Sequence, residues 1–137
     1  MYPAEMVIPM NKDLTDHGFI GLETPEAVTE QLENGEGTAL LVINSVCGCA
    51  AGNARPGAKM AIAGEKKPDK ALTVFAGFHN DAVAKVREYL LPYPPSSPCI
   101  ALFKDGKLVH FLERHHIEGR SAEIIATNLT MAFDRFC

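Results

Sequence analysis

Residues 38–56 read TALLVINSVCGCAAGNARP, and this stretch decides how the chain is expected to fold. It begins with the apolar run ALLVI, which predicts a buried strand. The small residues after Cys49 predict the start of a helix. Cys47 and Cys49 therefore lie where a strand passes into a helix N-terminus, whose unpaired N–H groups and dipole favour an anion. Because the thiolate is the reactive form of cysteine, this placement indicates a redox site.

The composition favours one globular domain spanning residues 1–137, since 47% of the residues are hydrophobic and 22% are charged. The net charge of −4 and the absence of a Lys/Arg cluster argue against a nucleic-acid partner. The apolar runs are too short to cross a membrane. Residues 1–20 lack the apolar core of a signal peptide, so the cytoplasm is the expected location. In that compartment, paired cysteines are more often catalytic or metal-binding than structural.

Upstream of the dithiol, two helices are expected. One lies within residues 4–16, which include a proline that limits where it can run. The other begins with Thr24 as its N-cap and Pro25 in its first turn. It is expected to end near Asn34 and Gly35.

Downstream, the pattern predicts alternating helices and strands. A helix is expected over residues 47–63, bent at Pro56. Residues 71–76 form a second apolar run, typical of a parallel strand buried on both faces. Asn80 is the predicted N-cap of the next helix, over residues 81–91, which carries one apolar stripe.

The C-terminal third predicts a hairpin and a last helix. After a proline-rich loop, residues 98–103 and 108–112 are expected to be strands joined by a tight turn at Asp105 and Gly106. Ser121 is the predicted N-cap of the final helix. The order βαβα then ββα indicates an α/β, thioredoxin-like fold. Its mixed sheet has about four strands, flanked by helices and preceded by an extra N-terminal helical segment.

A resemblance to a known family supports this fold. The sequence NSVCGCAAG at residues 44–52, followed by ARP at 54–56, resembles the signature of the bacilliredoxins, which are thioredoxin-like proteins of bacteria. The similarity covers nearly the whole chain. Further matching segments are VFAG at 74–77, PSSP at 95–98, VHF at 109–111, RH at 114–115, IEG at 117–119, NLT at 128–130 and AFDRFC at 132–137.

The resemblance implies thiol–disulfide exchange and the removal of bacillithiol from S-bacillithiolated proteins. It implies that Cys47 is the attacking thiol, that Cys49 is its resolving partner, and that Pro98 is a cis-proline facing them. A groove is then expected at Gly48, Ser97 and Pro98, where the Ser97 backbone pairs with an extended substrate. The expected partners are S-thiolated or disulfide-bonded client proteins and a low-molecular-weight thiol. No metal or prosthetic group is expected.

Alternatives remain open for several residues. Cys47 and Cys49 are alternatively metal ligands, completed by His115, His116 or another cysteine, although zinc pairs usually have wider spacing. Arg55 is a candidate for lowering the pKa of Cys47, or is an ordinary solvent-facing or ion-paired arginine.

The remaining two cysteines have no motif. Cys99 is expected to be a buried small hydrophobe. Cys137 is expected to be exposed at a frayed helix end, and its role stays open between a third redox thiol, an intermolecular linker and no redox role. At the level of function, the alternatives are a general disulfide isomerase or weak oxidase without bacillithiol, and a metal or iron–sulfur accessory protein.

Overall fold

A five-stranded mixed sheet forms the centre of the protein, whose computed structural model describes residues 1–33 and 35–137. The strands are β1 (Ile20–Gly21), β2 (Thr38–Asn44), β3 (Lys70–Phe75), β4 (Cys99–Lys104) and β5 (Lys107–Leu112). Across the sheet they lie in the order β1-β3-β2-β4-β5. The first three are parallel, β4 is antiparallel to β2, and β5 is antiparallel to β4. The predicted α/β fold is confirmed, with one strand more than expected.

The central strand β2 is buried along its whole length, as its apolar run predicts. Leu40 and Val42 enter the core on one side of the sheet, whereas Leu41 and Ile43 enter the core on the other. The extra strand, β1, pairs with β3 through only two residues. Two residues are too few to show an alternating pattern, so sequence periodicity missed this strand.

In the part of the chain that the structure describes, six α-helices cover the two faces of the sheet. They are α1 (Ala4–Thr15), α2 (Pro25–Leu32), α3 (Arg55–Ile62), α4 (Asn80–Tyr89), α5 (Arg114–Ile117) and α6 (Ala122–Phe136). Residues of α1, α3 and α6 pack in one core cluster, and residues of α2 and α4 in the other. Helix α1 continues through Pro9, a residue expected to restrict where this helix can run. The predicted end of α2 falls on Gly35 and on Asn34, which lies outside the described residues.

Of the three predicted N-cap residues, two are confirmed and one is wrong. Thr24 Oγ1 accepts from the N–H of Ala27, and Ser121 Oγ accepts from that of Ile124. Asn80, by contrast, is the first residue of α4, and His79 takes the N-cap position without a side-chain bond. The helix starts one residue early because the carbonyl of His79 accepts from the N–H four residues on.

The helix expected over residues 47–63 is divided rather than bent. Ala50–Ala54 is π-helical, and the N–H of Arg55 donates to the carbonyl of Ala50, five residues back. Pro56 lies in the first turn of α3. Because proline has no N–H, it cannot donate a hydrogen bond to the carbonyl four residues before it. The chain forms the wider turn of a π-helix there. At Asp105 and Gly106, both φ angles are positive, as the predicted tight hairpin requires.

Helices α3 and α6 approach each other closely at Gly57. A Cβ atom there would lie 2.7 Å from Cγ2 of Ile125, closer than two carbon atoms can pack. Glycine is therefore required at this crossing. No helix in the ranges 1–33 and 35–137 has the length and apolar character needed to cross a membrane.

Candidate active site

The dithiol lies at the C-terminal end of β2, where side chains fix the path of the backbone. Asn44 is fully buried, and its Nδ2 donates to the carbonyl of Met10, 3.1 Å away. Its Oδ1 accepts from the N–H of Ser45 at 2.8 Å, and Ser45 Oγ accepts from the N–H of Cys47 at 3.2 Å. These bonds set the position from which the chain enters the helical segment.

Cys47 stands at the beginning of that segment. Its carbonyl accepts from the N–H groups of Ala50 and Ala51, at 3.0 and 3.2 Å. Its Sγ lies 3.4 Å from the backbone nitrogen of Cys49, whose N–H points to the sulfur. The sulfur therefore occupies the position of an N-cap acceptor, where a negative charge is stabilised.

Arg114 provides a cation at the same sulfur, which sequence reasoning did not assign. Its Nη2 lies 3.2 Å from Cys47 Sγ, and its Nη1 donates to the carbonyl of Ser97 at 3.1 Å. Its Nε is ion-paired with Glu118, one helical turn away. The residue lies 67 positions from Cys47, in the four-residue helix α5. No spacing rule connects these two positions. The signal that the sequence offers for this segment is its resemblance to the family at residues 114–115 and 117–119.

The two thiols differ in acidity. The pKa of Cys47 is lowered, chiefly by the hydrogen bond from the Cys49 thiol, with help from the Cys49 N–H and the charge of Arg114, although burial opposes the shift. The pKa of Cys49 is raised by burial and by its hydrogen bond and proximity to Cys47. Cys47 is therefore the thiol that ionises first, the property that a nucleophile needs.

The loop before β4 lies beside the dithiol. The Ser97–Pro98 peptide bond is cis, and a second cis bond, which the sequence did not predict, precedes Pro92. Cys99 pairs with Ile43 in the sheet, which brings Pro98 to the level of the end of β2. Further bonds hold this loop: Arg87 Nη1 donates to the Ser96 carbonyl and the Arg114 N–H to Ser96 Oγ, at 3.1 and 3.3 Å.

Gly48 lies between the two cysteines and faces open space. A Cβ atom at this position would have no neighbour within 4 Å. The dithiol is therefore not covered at this point, and a substrate has room to approach.

The contacts of Arg55 are those of an ion-paired arginine, one of the alternatives that the sequence leaves open. Arg55 is buried; its Nη1 donates to the Met10 carbonyl at 3.1 Å, and its Nε lies 3.7 Å from Asp13. Its place in the first turn of α3 directs the side chain towards α1. Arg55 is thus the ion-paired alternative, and the arginine at Cys47 is Arg114.

Cys99 and Cys137 lie apart from this chemistry in different ways. Cys99 is almost completely buried, and burial raises the pKa of its thiol to about 12, so it stays protonated near neutral pH. Cys137 is exposed at the end of the chain. Within the described ranges, the potential metal-ligand group consists of Glu113, His115 and His116, and neither Cys47 nor Cys49 belongs to it.

Comparisons with known proteins show the family of this chain. Residues 2–137 match the family model described as disulphide isomerase. The chain is 60% identical over 134 residues to a bacilliredoxin of Cytophaga hutchinsonii, covering 98% of both chains. It is 55% identical over 137 residues to a bacilliredoxin of Bacillus cereus, covering 99% of this chain and 95% of the other.

Solved structures show the fold. Thioredoxin of Fasciola hepatica superimposes with a TM-score of 0.59 at 19% identity, covering 85% of this chain and 98% of that one. Thioredoxin of Malassezia sympodialis gives 0.57 at 14% identity, covering 87% and 91%. The fold is therefore that of thioredoxin, and the chain belongs to the bacilliredoxins, a family of thiol–disulfide oxidoreductases.

Proposed function

We propose that this protein removes a low-molecular-weight thiol from S-thiolated client proteins, with Cys47 as nucleophile and Cys49 as resolving thiol. The observation that carries the proposal is the environment of Cys47 Sγ. The Cys49 N–H and the Arg114 guanidinium both point at this sulfur, at 3.4 and 3.2 Å. Both contacts favour the thiolate over the thiol.

In the first step, the Cys47 thiolate attacks the small-thiol sulfur of a mixed disulfide on the client. A bond forms between Cys47 and that sulfur, the original S–S bond breaks, and the client cysteine leaves as a thiolate that takes a proton from water. The client is reduced, and the small thiol is now attached to Cys47.

Two routes then restore Cys47. The Cys49 thiolate attacks Cys47 Sγ and expels the small thiol, leaving a Cys47–Cys49 disulfide that two further small thiols reduce. Alternatively, one free small thiol attacks the mixed disulfide directly and leaves as its symmetrical disulfide. No metal or prosthetic group takes part in either route.

Bacillithiol is the proposed small thiol, supported by the bacilliredoxin relatives. The proposed groove consists of Gly48, Ser97 and Pro98, with the client segment extended beside the Ser97–Pro98 bond. The proposed setting is the cytoplasm, where mixed disulfides with small thiols are formed and must be reversed.

Activity of two variants on a model protein carrying one such mixed disulfide tests the proposal. Cys47→Ser is expected to abolish release of the small thiol. Cys49→Ser is expected to retain it when free small thiol is supplied, because the second route needs only Cys47. Full activity of Cys47→Ser would refute the assignment, and equal loss in both variants would exclude the route through free thiol.

General disulfide isomerisation is the second candidate, favoured by the description of the matching family model. It uses the same Cys47 thiolate on protein disulfides. Refolding of a protein with scrambled disulfides, measured beside removal of the small thiol, distinguishes the two by their relative rates.

A further inference from the structure

We propose that Arg114 selects anionic small thiols, by exchanging its contact with the Cys47 thiolate for a contact with a carboxylate of the thiol that becomes attached to Cys47. This inference rests on the proposed function, since it concerns the group that Cys47 accepts. It assigns a recognition role to a residue outside the CGC motif.

The guanidinium of Arg114 is fixed by two groups that do not react. Glu118 pairs with Nε, and the Ser97 carbonyl accepts from Nη1. The third contact, from Nη2 to Cys47 Sγ, is the one made to a reacting atom. An arginine held in this way keeps its position when the state of the sulfur changes.

The charge of the sulfur changes during the proposed reaction. As a thiolate, Cys47 Sγ is a charged acceptor for Nη2. Once it is bonded to the sulfur of a small thiol, it is a neutral and weak acceptor. Nη2 then loses its charged partner in the same step that attaches the small thiol to the sulfur beside it.

A carboxylate on that new group fits the vacated N–H. Nη2 can donate a charge-assisted hydrogen bond to a carboxylate, and the charge of the guanidinium offsets the repulsion between an anionic substrate and the Cys47 thiolate. The Arg114 side chain remains 44% exposed, so a ligand can reach it. A small thiol without negative charge gains nothing from this contact.

The test compares two small disulfides on a common background. Cys49→Ser protein, which stops at the mixed disulfide, is mixed with the disulfide of mercaptosuccinate or with 2-hydroxyethyl disulfide. The first carries carboxylates and the second is neutral. Mass spectrometry follows the rate at which each adduct forms on Cys47, and the ratio of the two rates measures selection by charge.

In this background, Arg114→Ala is expected to lower the anionic-to-neutral ratio by about threefold to tenfold, as suits an exposed charge contact. Arg114→Lys is expected to restore part of the ratio, because it keeps the charge but not the planar group that Glu118 and Ser97 hold in place. Arg135→Ala, an exposed arginine near the end of α6, is the control that leaves the ratio unchanged. Loss of thiolate stabilisation alone slows both adducts together and does not move the ratio.

An unchanged ratio in Arg114→Ala would overturn the inference while leaving the proposed function intact. If both adducts form with the expected selectivity but clients are not released, the proposed function fails and the recognition role stands. If neither adduct forms, Cys47 is not the nucleophile, and both fail.

Discussion

The chemistry of this protein depends on what surrounds one sulfur atom. Cys47 and Cys49 are the same residue type two positions apart, yet their pKa values move in opposite directions. The difference arises because Cys47 receives hydrogen bonds that favour its thiolate. The thiolate of Cys49, by contrast, is disfavoured by burial and by the negative charge of the neighbouring Cys47. Assignment of the nucleophile therefore follows from local geometry.

At this scale, we expect Cys47 to be alkylated with a midpoint below that of a free thiol, about pH 8.5. A lowered pKa means that the thiolate, and hence the rate, persists to lower pH. Arg114→Ala is expected to move the midpoint upward, since it removes one stabilising charge. Iodoacetamide labelling against pH, with peptide mapping, measures this for each cysteine. Equal rates at Cys47 and buried Cys99 near neutral pH would contradict the expectation.

The reduction potential of the dithiol is a second prediction. A disulfide between residues i and i+2 closes a small and strained ring, and the contacts at Cys47 stabilise the reduced form. Both effects make the pair more oxidising. We expect a potential above roughly −200 mV, compared with about −270 mV for thioredoxin. Equilibration with a glutathione redox buffer measures it, and a value at or below that of thioredoxin would show that the strain argument is wrong.

Among the elements, the pairing of α3 with α6 places the active-site segment on the sheet. Gly57→Ala is expected to lower the free energy of unfolding by about 1–2 kcal/mol, because overpacking outweighs the gain in helix propensity. Urea unfolding measures the change.

Gly52→Ala is the matched control for that substitution. A Cβ atom there would meet nothing within 4 Å, so its unfolding free energy is expected to stay the same or rise. A loss of stability in Gly52→Ala as large as that in Gly57→Ala would disprove the close-approach argument.

Elements with strong local signals could be predicted from the sequence. The run before the dithiol gave strand β2, hydroxyl caps gave the starts of α2 and α6, and Asp105 with Gly106 gave the hairpin turn. Elements that are very short or irregular could not be predicted. Strand β1 is too short for periodicity, and α5 has four residues. The π-helical segment depends on how the chain meets Pro56.

For the molecule as a whole, the fold brings together three parts of the chain that the sequence separates. The end of β2 supplies Cys47, the loop before β4 supplies Ser97 and Pro98, and α5 supplies Arg114. The sequence predicted the first two through the CGC motif and the family resemblance. It could not predict Arg114, because that contact needs the hairpin of β4 and β5 to return the chain to the dithiol.

The most direct test of the central claim is a single-turnover reaction of reduced Cys49→Ser protein with an equal amount of a client that carries one small-thiol mixed disulfide. Intact mass spectrometry follows both proteins. We predict that the client loses the mass of the small thiol while the same mass appears on Cys47. A disulfide between Cys47 and the client itself, or release of the small thiol with no mass on Cys47, would contradict the account.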